Sequence, residues 1–171
     1  MRAAPLLLLL AGCAADGSSP FVPPQWDEGT ILEPCDGTDA EPQVVLCPRE
    51  QDQALQPGAV VDVYREYQGA IVMAGDVRFD GLPGGTRLPN FVATVDVDGE
   101  EFARRQMAHI VGECGDDGVW QRRLEIFFER VWDGTVYDGL EADLTLVVDD
   151  LDGATHTWTI PITTRWVPDE D

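Results

Sequence analysis

Residues 141–166 read EADLTLVVDDLDGATHTWTIPITTRW. Ala142, Leu144, Leu146 and Val148 occupy alternate positions, and Trp158, Ile160, Ile162 and Trp166 alternate back. Successive side chains of a strand point to opposite faces, so this period of two places each apolar set on one face of a sheet. Asp152-Gly153 supplies the reversal between two strands. Pro161 has no N–H to give to a ladder, so the second strand is expected at a sheet edge or bulged at that point.

The same reading extends back to residue 43. Val44-Val45-Leu46-Cys47 predicts a short first strand, and Pro57-Gly58 a turn before a strand from Ala59 to Tyr67. Ile71, Met73, Val77 and Phe79 share one face of a long strand, which Leu82-Pro83-Gly84-Gly85 breaks. Phe91, Ala93, Val95 and Val97 share a face of the next, Asp98-Gly99 is a two-residue hairpin turn, and Phe102 begins the return. A Gly-Asp-Asp-Gly loop follows at 115–118. Trp120 to Trp132 fits two patterns. Trp120, Leu124, Phe127 and Val131 have helical spacing, whereas Trp120, Leu124, Ile126, Phe128 and Trp132 suit a strand. Aromatic and β-branched content favours the strand.

About seven to nine strands separated by turns, with little helix, predict an all-β, antiparallel, immunoglobulin-like β-sandwich over residues 42–168. The final hairpin, Leu144 to Gly153 followed by Thr155 to Ile162, resembles the closing strands of bacterial immunoglobulin-like domains. The Cys-Trp-Cys core of antibody domains is not evident, and no internal repeat is seen.

The N-terminus is of another kind. Arg2 precedes Leu6 to Leu10, and the run ends in Leu10-Ala11-Gly12-Cys13. The run is far shorter than the roughly 20 residues of a membrane-spanning helix and fits a secretory segment ending in small residues. It resembles the signal peptide and lipobox of a bacterial lipoprotein precursor. The resemblance implies that residues 1–12 are a signal peptide, removed in the mature protein. It makes Cys13 the first mature residue and the attachment point of a lipid. Two or more acyl chains would anchor the protein stably to a membrane. In Gram-negative lipoproteins Asp after the lipidated cysteine favours the inner membrane, so Ala14 points to an outer-membrane lipoprotein. Whether it faces the periplasm or the cell surface stays open. Residues 13–41, rich in Pro, Gly, Asp and Ser, read as the lipidated N-terminus and a semi-extended tether. Phe21, Val22 and Trp26 are apolar residues of that tether suited to docking. Residues 169–171 form an acidic tail.

Composition narrows the chemistry. The precursor of 171 residues, less 12, leaves 159, enough for one domain and a tether. Net charge is −21, from 11 basic and 32 acidic side chains, and every basic one is Arg. Carboxylates outnumber arginines nearly threefold, which argues against nucleic acid as a partner. The doublets Arg104-Arg105 and Arg122-Arg123 are expected on solvated strand faces opposite carboxylates. Ser occurs only at 18 and 19, so a Ser-His-Asp triad cannot form in the domain. Without Lys there is no Schiff base and no phosphate-binding loop lysine.

His109 and His156, the two histidines, have no zinc spacing. Calcium is the better metal candidate, with Asp149, Asp150 and Asp152 as the leading carboxylates, although they match no EF-hand loop. No other cofactor is indicated. Cys35, Cys47 and Cys114 are disulfide candidates in an oxidising envelope. Cys35–Cys47, which closes a short loop, is favoured over Cys35–Cys114. Trp120, Trp132, Trp158 and Trp166 could form a sugar-stacking face, but alternation assigns most of them to the core.

These observations predict a lipid-anchored cell-envelope protein, non-catalytic, acting as a structural or protein-binding module. Its partners would be the membrane, through Cys13, and an envelope protein; oligomeric state is undetermined. The alternative is a carbohydrate-binding or carboxylate-dependent hydrolytic domain.

Overall fold

A computed structural model describes residues 41–168 apart from 50–53, 67, 83–86, 116–117, 130 and 132, with backbone alone over 113–115 and 118–122. The expected signal peptide (1–12), the expected tether up to residue 40 and the acidic tail (169–171) lie outside these residues. The described residues form nine strands: β1 Gln43–Pro48, β2 Ala59–Arg65, β3 Ile71–Asp80, β4 Arg87–Val97, β5 Glu100–Val111, β6 Glu113–Gly115, β7 Gly118–Phe128, β8 Glu141–Asp149 and β9 Thr155–Val167. One 3-10 turn, Gly134–Tyr137, joins β7 to β8.

The strands form a sandwich. All nine are hydrogen-bonded into one continuous sheet that folds over into two layers, a four-stranded sheet β1-β3-β7-β6 and a five-stranded sheet β2-β9-β8-β4-β5. In immunoglobulin lettering these are the A-B-E-D sheet and the C′-C-F-G sheet of a variable-type domain, with β2 added beside the last strand. The sheets are joined at two corners, each of two residue pairs. Tyr64↔Val72 and Arg65↔Ile71 link β2 to β3, and Ala103↔Phe128 and Arg104↔Phe127 link β5 to β7. The apolar alternations supply the core between the sheets: Phe79 of β3 meets Phe91 of β4 edge to face, with centroids 5.7 Å apart. Leu144, Leu146 and Val148 of β8 are fully buried beside them. Burial of such apolar area is the main driving force.

Residues 118–128 are strand, as aromatic and β-branched content predicts. Asp98 (φ 52°) and Gly99 (φ 83°) both take the left-handed conformation that a tight hairpin turn requires. Two details differ from the sequence reading. First, the sandwich is not wholly antiparallel: β2 runs parallel to β9, from Ala59↔Ile162 to Tyr64↔Val167. Parallel neighbours need a long crossover, and here nearly the whole domain supplies it. Second, β9 is an interior strand despite Pro161. The Pro161 carbonyl accepts from Gly58 N at 2.6 Å, on the side where β2 pairing begins only at the next residue. Backbone N and O of one residue face the same neighbour, so the missing N–H falls where no ladder acceptor waits.

The 3-10 turn closes one end of the core. Asp133 caps it, its Oδ1 accepting from Thr135 N at 3.0 Å. Tyr137 is buried; its hydroxyl donates to the Glu129 carbonyl at 2.8 Å and its ring packs against Phe128 at 4.9 Å. Thr164, 1% exposed, donates to the Tyr137 carbonyl and accepts from Leu140 N at 3.2 Å. The Trp166 indole lies flush on Gly134, where an added Cβ would stand 2.1 Å from the ring.

Candidate functional site

The most polar constellation sits at the tip of the β8–β9 hairpin, where sequence reading placed the calcium candidates. Asp149 is the last residue of β8. Its carboxylate accepts from Thr155 Oγ1 at 2.6 Å and from Asn90 Nδ2, on β4, at 3.0 Å. These bonds, Thr155 first, hold the Asp149 carboxyl below the ordinary range. Asp150 is 2% exposed, an unusual place for a carboxylate. Its Oδ2 lies 2.8 Å from His156 Nε2 and its Oδ1 accepts from Ala154 N at 2.9 Å. The His156 bond dominates in lowering the Asp150 carboxyl's pKa, against the opposing effect of burial. His156 in turn stacks on Trp158, with centroids 5.9 Å apart. Asp152 is exposed in the turn itself.

Neighbouring residues point to different sides, so Asp149 and Asp150 serve different partners, Asp149 within the hairpin and on β4 and Asp150 within the hairpin. Calcium needs six to eight oxygen ligands. Among the described residues no set of three or more His, Cys, Asp or Glu side chains converges as a metal site. The constellation does chemical work of another kind: it fixes a tight loop by satisfying the N–H groups that a turn leaves exposed.

A second feature is an open concavity of about 430 Å³ on the outer face of the five-stranded sheet, lined by Asp96, Asp98, Glu141, Asp143, Pro161 and Thr163 among others. Register explains its acidity: Asp96 of β4 stands between Glu101 of β5 and Asp143 of β8. Like charges directly opposite destabilise a sheet. They are partly compensated by Thr94 Oγ1, which donates to Asp96 at 3.0 Å, and by Arg104, which pairs with Glu101 at 3.0 Å.

The remaining sequence candidates are dispersed. Arg104 faces Thr94 across the strands and finds its carboxylate in its own strand, while Arg105 lies over the Phe127 ring at 5.2 Å. Arg123 is exposed with φ 59°, its N–H donating to Asp76 Oδ1 at 2.9 Å beside a register shift in the β3–β7 ladder. His109, also left-handed at φ 55°, is exposed on β5, away from His156 on β9. Trp158 and Trp166 are half-buried against the core. Trp26 and Trp132 lie outside the described residues, as do Cys13 and Cys35; for Trp120 and Cys114 only backbone is described. Cys47 is 4% exposed on β1 and disulfide-bonded.

Sequence reasoning missed Tyr137. The Asp133-Gly134-Thr135 cap was a local signal for the turn that buries Tyr137.

No protein-family model and no curated protein matches the chain. Among solved structures it is similar to the N-terminal domain of PorA, at 16% identity over 72% of this chain and 97% of that one, with a TM-score of 0.35. It is also similar to murine CRIg, at 11% identity over 75% of this chain and 99% of that one, again with a TM-score of 0.35.

Proposed function

We propose that this protein is a lipid-anchored module of the bacterial cell envelope, attached through Cys13 to the outer membrane, and that it acts by binding a partner protein rather than by catalysis. One observation carries the reading: the Leu10-Ala11-Gly12-Cys13 box, preceded by a charged and an apolar segment and followed by a Pro-rich stretch. The lipid supplies the address, and the net charge of −21 keeps the domain off an anionic membrane surface. A disulfide between Cys35 and Cys47 ties the tether to β1.

The absence of serine from residues 20–171 and the lack of lysine remove the seryl and lysyl nucleophiles. The hairpin carboxylates are consumed by the turn they hold, and Trp158 and Trp166 pack inward, which speaks against a sugar-stacking face. Contact then falls to the exposed strand edges or to the aromatic residues of the tether, by strand addition or docking.

The test is metabolic labelling with a fatty acid, followed by crosslinking and pull-down from intact cells, comparing the native chain with Cys13→Ser. Label on the native chain alone, with a stoichiometric partner lost in the variant, is the expected result. An unlabelled native chain released to the medium would overturn the anchoring. A labelled chain without any partner would overturn the binding role.

A further inference from the structure

Cys47 faces away from the core. Val44 and Leu46 of β1 are buried in it, so alternation turns Val45 and Cys47 to the outer face of the four-stranded sheet. Among the described residues, β1 is the first strand of that sheet and its only strand partner is β3. An apolar side chain in such a place is ordinarily open to water. Val60, which faces outward on β2 between the sheet edge and solvent, is 45% exposed. Cys47 is 4% exposed. Val45 and Ala54 pack against it, apart from the main core. Cys47 is also disulfide-bonded.

The ladder excludes one bonding partner. Val44, Phe79, Val119 and Cys114 stand in one row across β1, β3, β7 and β6. Cys114 is therefore three strand spacings from β1, about 14 Å. Cys47, opposite Asp76, lies three residues farther along β1, about 10 Å more. A disulfide needs its Cα atoms within about 7 Å. Cys13 and Cys35 remain, and the lipid reading of Cys13, on which this step rests, removes the first. The Leu46 carbonyl accepts from Leu55 N at 2.7 Å, so the edge of β1 is engaged beside Cys47, and what covers Cys47 lies on the face. We propose that Cys35 is bonded to Cys47 and that the segment leading into this bond, Ile31-Leu32-Glu33-Pro34, docks on the outer face of β1 over Val45 and Cys47.

Chain lengths suit this path. Gln43, where β1 begins, is about 13 Å from Cys47 along the strand. Residues 36–42 cover that distance with length to spare, at up to about 3.3 Å each. Ile31 and Leu32 precede Cys35 closely enough to reach Val45, which is about 7 Å from Cys47 on the same face. The bond holds the apolar pair at high local concentration there. Docking then removes the apolar surface of Ile31, Leu32 and Val45 from water. The tether leaves the domain at residue 31, and residues 14–30 alone form the leash to the lipid. Phe21, Val22 and Trp26 fall within that leash, where a partner can reach them.

The test uses the full chain. Digestion before aspartate, without reduction, cuts at Asp27, Asp36, Asp39 and Asp52 and leaves Cys47 in fragment 39–51. In the native chain we expect that fragment joined to fragment 27–35, which holds Cys35. Junction to fragment 98–115, which holds Cys114, or to a second copy of 39–51 would overturn the proposal and leave the lipid anchor standing. Junction to the fragment holding Cys13 would overturn both. The expected junction in a chain without fatty-acid label would uphold the bond and overturn the anchor alone. Docking is read on Cys13→Ser by methyl NMR. Nuclear Overhauser contacts from Ile31 and Leu32 to Val45 are expected. Ile31→Ser with Leu32→Ser should abolish them and shift the Val45 methyls, with the Leu144 methyls unmoved. Random-coil shifts at Ile31 and Leu32, without contact to Val45, would overturn the docking even with the bond in place.

Discussion

Replacing Thr164 by Val is the sharpest test of how the core is closed. The two side chains have nearly the same shape, so the variant removes a hydroxyl and little else. That hydroxyl is buried, donates to the Tyr137 carbonyl and accepts from Leu140 N at 3.2 Å. Thr164→Val leaves both backbone groups without this partner, and each unmet buried group costs about 1–3 kcal/mol. Leu140 is only partly buried and water relieves part of its loss, so the total comes to about 2–4 kcal/mol. For a domain of this size, each kcal/mol lowers Tm by roughly 3–5 °C. Urea unfolding followed by circular dichroism, on the full chain carrying Cys13→Ser, should show a lower midpoint with an unchanged slope. Thr164→Ser keeps both hydrogen bonds, loses one methyl, and should cost about 1 kcal/mol. If Val proves as stable as wild type, or Ser the less stable of the two, the hydroxyl is not what holds the turn to β9.

Gly134→Ala would push a methyl into the Trp166 ring, 2.1 Å from the new Cβ, and should cost about 1–3 kcal/mol while altering the near-ultraviolet dichroism of the tryptophans. The depressed Asp150 carboxyl contributes stability that is present above the ordinary aspartate value of 3.8 and lost as pH falls through its lower folded value. Asp150→Asn should accordingly flatten the acid limb of a stability–pH curve below pH 3.8; a limb as steep as wild type would assign it to other carboxylates. With the hairpin oxygens engaged, melting temperature should not differ between millimolar calcium and a chelator, and a clear rise with calcium would show a site that the hairpin geometry does not offer.

Much of the fold was legible because its signal is local. Alternation named the buried faces of β3, β4 and β8 residue by residue, since a strand's period of two is the same whatever it pairs with. The left-handed Asp98-Gly99 turn was equally local, written in the only residue types that adopt it cheaply. Pro161 misled for the same reason: its missing N–H is a local fact, but whether the strand is an edge depends on where β2 begins beside it. The candidate site was legible only as composition. Asp149, Asp150 and Asp152 read as a cluster of oxygen ligands, and what engages the oxygens of Asp149 and Asp150 is Asn90 from β4 together with Thr155, Ala154 and His156 folded back across the turn.

By itself, then, the sequence determined most of the strands, their inward faces and the hairpin turns, because each follows from neighbouring residues and their stereochemistry. Only the tertiary structure decided which strands meet: β2 parallel to β9, the two corners, and Tyr137 and Thr164 closing one end of the core. Pairing partners are chosen by the packing of whole faces across long chain separations, and no local pattern in the sequence encodes that choice.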